Sequence, residues 1–414
     1  MASRIQWGDP AGGDRLSERS DSEHGQRSSA QRVLQAVRRH GPLARVDLGA
    51  LLEMSPASIS SLTSDLLREG FLREVAENGS TETGRGRGRP KVLIELAPDA
   101  ACMIAVKLTI NRIEVARGDF AGGTGRVTAR SLNTLELGAA ELVAALADLI
   151  AGEIAALPAS AGRLTGIGIA VQGLVHGAAT IIWSPALALR HVNIAAPLAA
   201  RFGLPVIAMN DADCIALAMR QRSEFQAIDN LAVVMLGTGV GMGLIIDGKL
   251  HAASSGLGAE FGHTKYQIDG PLCHCGRRGC IESFVGDYAL YRDARSMLDL
   301  PNTDALHPSE EQMQALTDLA ESGQPVAVSL FRQAGRALGY GLSNLIALLG
   351  PDLILVTGSG VRGFRQMEPA MRQALDEALV DTLLSQTEIR PHAWDEDLTL
   401  RGIVLQVLGE ARAG

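Results

Sequence analysis

The chain has 414 residues and a formal net charge of -8, with 46% hydrophobic, 20% charged and 4% aromatic residues. That length allows two or three domains, each with a core of Ala, Leu, Val and Ile rather than aromatics. No apolar run is long enough to cross a bilayer, MASRIQWGDP has no apolar signal core, and five cysteines are too few and too clustered for a secreted disulfide framework. A cytoplasmic protein with no membrane partner is therefore expected.

Charge is unevenly shared. From Arg27 to Leu93 there are eleven basic residues against seven acidic ones, so a basic module is joined to a more acidic remainder. Residues 1–27 are polar and aperiodic and read as a disordered tail. SSAQRVLQAVRRH then places Val33, Leu34 and Val37 at helical spacing, with Gly41-Pro42 as the stop. ARVDLGALLE is a short second helix expected to bury Val46, Leu48, Leu51 and Leu52. In MSPASISSLTSDLLREGFL, Ser55 is placed to cap and Pro56 suits the first helical position. Ile59, Leu62 and Leu66 of that third helix face inward.

A two-stranded wing around FLREV and KVLIEL completes a winged helix-turn-helix over residues 28–98, with GRGRGRPK entering the second strand. Ser55, Ala57, Ser58, Ser60, Ser61 and Ser64 form a small-residue surface that permits close approach to DNA. Arg45 and the wing residues Arg85, Arg87, Arg89 and Lys91 are candidates for phosphates or a narrow minor groove. The alternative use of the Gly-Arg run is a solvated linker between domains.

From Ala100 onward, runs such as CMIAVKL, RIEVARG, GIGIAV, PVIAMN, LAVVMLG, GLIID and LILVTG alternate with helices at roughly 138–156, 212–222, 284–298, 309–320, 325–348, 365–384 and 399–411. This alternation predicts α/β architecture with helices packed on mixed sheets. Within EFGHTKYQIDGPLCHCGRRGC, His263 lies ten residues before a C-x-C-x4-C pattern of Cys273, Cys275 and Cys280. Three thiolates and one imidazole complete a tetrahedral zinc shell with no open position, so a structural metal is expected. His274, inside the loop, is the competing ligand.

The stretch from Asn210 to Glu282 holds NDADCIAL, VMLGTGVGMGLIIDGKL, GLGAEFGH and CHCGRRGCIE in an order and spacing that resemble the ROK family of repressors, open reading frames and sugar kinases. The resemblance extends to the winged helix-turn-helix that many ROK repressors, those for xylose, N-acetylglucosamine or glucose among them, carry in front. It implies an actin-like (ASKHA) two-lobed sugar-kinase-type domain over 99–414. Lobe one would span about 99–212 plus the C-terminal helix 399–412, and lobe two about 213–398. Carried over by position, Asn210, Asp211, Glu260, His263 and Glu282 would bind sugar hydroxyls. Asp211 is the family's base position, and His263 would serve zinc through one ring nitrogen and sugar through the other. Gly237, Thr238, Gly239, Gly358 and Gly360 fall on the family's nucleotide loops.

One departure is decisive for function. ROK kinases open lobe one with D-x-G-G-T, whose acid organises the magnesium phosphate; here Lys107 stands at the acid, Thr109 and Ile110 at the glycines and Asn111 at the threonine. A cation cannot hold magnesium, and Ile110 crowds a phosphate loop. The loss implies a binding protein without ATP or magnesium, although the intact Asp211 leaves residual sugar kinase activity open. The expected function is a sugar-responsive regulator, a repressor of carbohydrate-utilisation genes, which binds a palindromic operator as a homodimer and responds to a sugar or sugar phosphate. The alternatives are an ATP-dependent sugar kinase carrying a DNA-binding domain, and a DNA-binding protein whose second domain only dimerises.

Overall fold

The computed structural model of this chain describes residues 19–76, 92–251, 258–298, 300 and 307–410. Residues 1–18 of the expected tail and the Gly-Arg run with Arg85, Arg87, Arg89 and Lys91 lie outside them. Two compact units divide at Ala97 and Pro98.

In the first unit, helix α1 (Arg19–His40) is followed by β1 (Leu43–Ala44), α2 (Arg45–Leu52), α3 (Pro56–Arg68), β2 (Leu72–Ala76) and β3 (Val92–Leu96). The helix begins nine residues inside the expected tail, which from Arg19 to Arg27 contains no proline to stop it. Val33, Leu34 and Val37 are buried as their spacing predicts. Ser55 caps α3 by accepting from the Ser58 amide at 3.1 Å, ahead of Pro56. Ile59, Thr63 and Leu66 then line its buried stripe.

The second helix departs from expectation: Leu48 is buried, but Val46 is 81% exposed and Leu51 47% exposed. Two turns offer a single inward stripe, and Val46 lies about 200° around the axis from Leu48. The strands form an antiparallel sheet in the order β1-β3-β2, with Leu72 opposite Leu96.

The second unit contains the same five-stranded arrangement twice. Strands β4 (Ala101–Thr109), β5 (Arg112–Asp119) and β6 (Thr124–Ser131) form an antiparallel meander. After α4 (Ala139–Ala155) comes β7 (Arg163–Val171), parallel to β4. A small sheet of β8 (Leu174–His176), β9 (Thr180–Trp183) and β10 (Arg190–Asn193) and helix α5 (Ala195–Phe202) precede β11 (Val206–Asn210), parallel to β7. Helix α6 (Asp211–Arg220) leads into the second copy.

There β12 (Leu231–Leu236), β13 (Val240–Ile246) and β14 (Lys249–Leu250) repeat the meander. Helices α7 (Glu282–Val285), α8 (Asp287–Met297), α9 (Glu310–Glu321) and α10 (Pro325–Leu349) intervene before β15 (Leu353–Thr357). Helices α11 (Phe364–Ala378) and α12 (Asp381–Leu384) separate β15 from β16 (Glu388–Pro391), and α13 (Leu398–Glu410) ends the described chain. The sheet orders are β11-β7-β4-β5-β6 and β14-β13-β12-β15-β16, the same permutation read in opposite directions.

One apolar core joins the first sheet to α4 and α5, and another joins the second sheet to α8–α11. Helices α6 and α13 cross closely because residue 402 is glycine: a Cβ there would lie 1.8 Å from the Cys214 carbonyl oxygen. Two expected helices are divided. The one over 284–298 breaks at Gly286, which turns extended, and the one over 365–384 breaks at Leu379–Val380. No described helix is long and apolar enough to cross a membrane.

Candidate functional site: a carboxylate-lined cleft beside a cysteine–histidine cluster

The end of β11 and the start of α6 place three polar side chains on one wall of a cleft. Asn210 is the helix cap: its Oδ1 accepts from the amides of Ala212 (2.8 Å) and Asp213 (3.3 Å), and its Nδ2 donates to the Gly173 carbonyl at 2.8 Å. Most of its hydrogen-bonding capacity is therefore committed to the backbone, and its direct share in ligand binding is smaller than the sequence suggested.

Asp211, the first residue of α6, accepts from the Ala212 amide at 3.0 Å. Burial pushes its carboxyl up to about 6, against the Ala212 amide and the Lys107 ammonium, which pull it down. Asp213, not anticipated from the sequence, lines the same cleft. Burial and then the charges of Asp211 and Glu260 push it up to about 7. Its position three residues past the cap, in NDAD, was the available signal.

The opposite wall comes from the loop after β14 and the start of α7. Burial, Asp211 and Glu282 push Glu260 up to about 7. Glu282 is 7% exposed; it accepts from the Val240 amide through Oε2 at 3.1 Å and from Cys273 Sγ through Oε1 at 3.2 Å. All five expected sugar residues, Asn210, Asp211, Glu260, His263 and Glu282, thus line one cleft, together with Gln172, Trp183 and Asp213. It encloses about 750 Å³, open solvent included. Four carboxylates converging on one space suit a ligand rich in hydroxyl donors; among the described residues, the groups beside them that can carry positive charge are Lys107 near Asp211 and the His263 ring near Glu260.

His263, Cys273, Cys275 and Cys280 converge so that their ligand atoms all lie within 4.8 Å of one another. His263 Nδ1 is 3.6 Å from Cys273 Sγ, and Cys275 Sγ is 3.8 Å from Cys280 Sγ. Tetrahedral zinc with ordinary Zn–N and Zn–S bonds needs N–S and S–S edges of about 3.6 and about 3.8 Å, so the donor set fits that ion. Burial and the Glu282 charge push the Cys273 thiol up, so its thiolate requires a cation beside it. His274 is not in the cluster; its ring stacks on Tyr288 at 3.6 Å. The other ring nitrogen of His263, Nε2, points to Glu260 Oε2 at 3.7 Å.

At the turn between β4 and β5, Lys107 Nζ pairs with Glu114 Oε2 at 3.3 Å, and Arg112 Nε reaches Glu114 Oε1 at 2.6 Å. Burial raises the Glu114 carboxyl, but Lys107 and Arg112 together hold it below its ordinary range. Asn111 adopts φ 57°, its amide donates to Thr134 Oγ1 at 2.9 Å, and its Oδ1 accepts from the Thr134 amide at 3.3 Å. Thr238 and Gly239 line the cleft, and Gly237 donates to the Gly239 carbonyl. Gly358, at φ 95°, needs to be glycine for packing alone, since a Cβ would lie 2.1 Å from the Leu236 carbonyl oxygen. Gly360 packs on the same residue.

In the first unit, Ser55, Ala57, Ser58, Ser60, Ser61 and Ser64 are all exposed, as expected of the outer face of α3. Arg45 is used internally: its Nε donates to Thr63 Oγ1 at 3.1 Å and a guanidinium nitrogen pairs with Glu74 at 2.9 Å.

A family match, described as the ROK family, covers residues 124–408. The chain is 26% identical over 336 residues to the xylose repressor of Caldicellulosiruptor bescii, covering 78% of this chain and 81% of the relative. It is 32% identical over 210 residues to the glucokinase of Streptomyces coelicolor, covering 47% of this chain and 65% of that enzyme. Among solved structures, a ROK family transcriptional regulator, a homolog of the E. coli MLC protein, superposes with a TM-score of 0.77 at 23% identity, covering 94% of this chain and all of that one. That similarity extends the sugar-kinase-type fold to the whole second unit. The chain belongs to the ROK family.

Proposed function

We propose that this protein is a sugar-responsive transcriptional repressor of carbohydrate-utilisation genes. The first unit is read as a winged helix-turn-helix that presents the exposed face of α3 to the major groove, with the Gly-Arg wing on the phosphate backbone. A homodimer would match a palindromic operator, each copy on one half-site. The cleft of the second unit takes the sugar, Asp211, Asp213 and Glu260 accepting its hydroxyls. Sugar changes DNA affinity only by as much as its affinity differs between the DNA-bound and released shapes, and a coupling of roughly 1–3 kcal/mol suffices for induction.

Zinc, held by His263, Cys273, Cys275 and Cys280, would act as a closed structural crosslink. It fixes the imidazole whose free nitrogen faces Glu260, and the thiolate that Glu282 abuts. The single observation that carries the non-enzymatic reading is the Lys107–Glu114 pair. An ammonium occupies the place of the magnesium-organising acid, and the Asn111 amide that a phosphate loop would offer is committed to Thr134. No ATP or magnesium is required.

Mobility-shift titration of operator DNA with a panel of sugars and sugar phosphates tests the proposal. Release by at least one of them is expected, and indifference to all would overturn it. The partial similarity to glucokinase and the intact Asp211 favour one rival, a sugar kinase. A coupled ADP-release assay decides between them, with turnover of about 1 per second or faster rejecting the repressor-only reading.

A further inference from the structure

Beside the cleft lies a second cavity that also encloses about 750 Å³ with open solvent included. Trp183, Pro185 and His274 line both spaces, so the two are neighbours that share a wall. Trp183 ends β9, and its ring meets the edge of His263 with centroids 5.6 Å apart. Beyond it the second cavity is walled by Leu135, Leu187 and Leu189, with Arg190 and His307 as polar groups; the buried Ser184 hydroxyl also lines it but is committed to the Gln172 carbonyl and the Ala186 amide.

This composition differs from that of the cleft. The cleft carries four carboxylates among its lining, whereas the second space has none and is mainly apolar with a few hydrogen-bonding groups. A pyranose or furanose ring matches such a site, because its C–H faces lie on apolar and aromatic walls while its hydroxyl edge meets polar groups. A phosphate would meet Arg190, His274 and His307 here but has the four carboxylates of the cleft across the shared wall, so glucose 6-phosphate is the comparison that decides between the two occupants.

We propose that the second cavity is a subsite for a second sugar ring, so that the effector is a disaccharide or other glycoside whose linkage passes Trp183. The inference rests on the reading of the cleft as a sugar site. One ring occupies the carboxylate cleft, and the other lies against Trp183 and the leucine wall, with Arg190 at the exposed rim.

Calorimetric titration of the full-length protein tests this with matched pairs: glucose with maltose and cellobiose, xylose with xylobiose, N-acetylglucosamine with chitobiose, and glucose 6-phosphate as the anionic comparison. One disaccharide is expected to bind at least about tenfold tighter than its monosaccharide. Ala188 is exposed and lines the second cavity without lining the first. Ala188→Trp should abolish that gain and leave the monosaccharide Kd within about twofold. Arg190→Ala, at the exposed rim, is the second variant and should lose part of the gain. Disaccharides no tighter than monosaccharides, equal weakening of both by Ala188→Trp, or glucose 6-phosphate as the tightest ligand would each overturn the inference while leaving the cleft a sugar site. Absence of binding by every sugar would instead remove the reading of the cleft, and the inference with it.

Discussion

Lys107 Nζ stands 3.3 Å from Glu114 Oε2 across the β4–β5 hairpin, with side chains only 15% and 12% exposed. The pair faces Asp211, whose carboxyl the ammonium pulls downward. Removing one partner of a fully buried pair costs about 3–5 kcal/mol. Here Arg112 still reaches Glu114, so Lys107→Met is expected to cost about 2 kcal/mol, read from urea denaturation. Lys107→Asp should cost more, because it sets a second acid against Glu114. It should also fail to create kinase activity, since Ile110 and the committed Asn111 amide remain. ADP release above background by Lys107→Asp with any hexose would show that Lys107 alone had been silencing the site.

Asp213 makes stability depend on pH in a defined direction. Its folded pKa of about 7 lies above the ordinary 3.8, so between these values the folded state holds a proton that the unfolded chain has lost. This carboxyl therefore favours folding in acid, and its contribution is lost as pH rises through about 7. Asp213→Asn removes the dependence. The variant should gain about 2 kcal/mol over the parent on going from pH 5 to pH 8, measured as the difference between their denaturation free energies at each pH. A constant difference across that range would mean that Asp213 is charged throughout.

The four-residue cluster predicts one zinc per chain by elemental analysis of the purified protein. Cys275 is the partly exposed one of the three cluster cysteines, so Cys275→Ser removes a candidate ligand while disturbing packing least. Its loss should release the metal, lower the melting temperature and weaken sugar binding by about tenfold or more, because His263 and Glu282 depend on the loop for their orientation. Full metal content together with unchanged sugar affinity in this variant would remove Cys275 from the ligand set.

The sequence revealed the ligand sets more readily than the shape around them. The four Cys and His side chains expected to hold zinc and the five residues expected to bind sugar do come together in space, because a short loop or a strand-to-helix junction fixes their spacing. Asn210 was found without its main role: whether an amide caps a helix or faces a ligand depends on backbone direction, which a string of letters does not give. Asp213 was missed although it shares α6 with Asp211, and Trp183 was missed because its strand, β9, has four residues and pairs only within a small sheet. Strands β6, β8, β10, β14 and β16 and helix α5 were overlooked for similar reasons, being short or solvent-facing with weak periodicity. Val46 and Leu51 show the opposite failure, apolar residues assigned to a core that a two-turn helix cannot bring them all to face.

Three classes of substitution in the first unit separate specific recognition, phosphate attraction and scaffold stability. Ser61 is exposed on α3, so Ser61→Asp should leave stability within about 0.5 kcal/mol while abolishing preference for the operator through repulsion in the groove. Joint replacement of Arg85, Arg87 and Arg89 by Ser should weaken operator and unrelated DNA alike, and reduce the slope of log K against log salt by about 2–3. Arg45 bonds Thr63 and Glu74 within the unit, so Arg45→Ala should lower its melting temperature, costing about 1 kcal/mol given the partial exposure of the pair. Fluorescence anisotropy at several salt concentrations, beside thermal melts, distinguishes the three. An Arg45→Ala protein with unchanged melting and a salt slope reduced by about 1 would reassign that guanidinium from scaffold to phosphate contact.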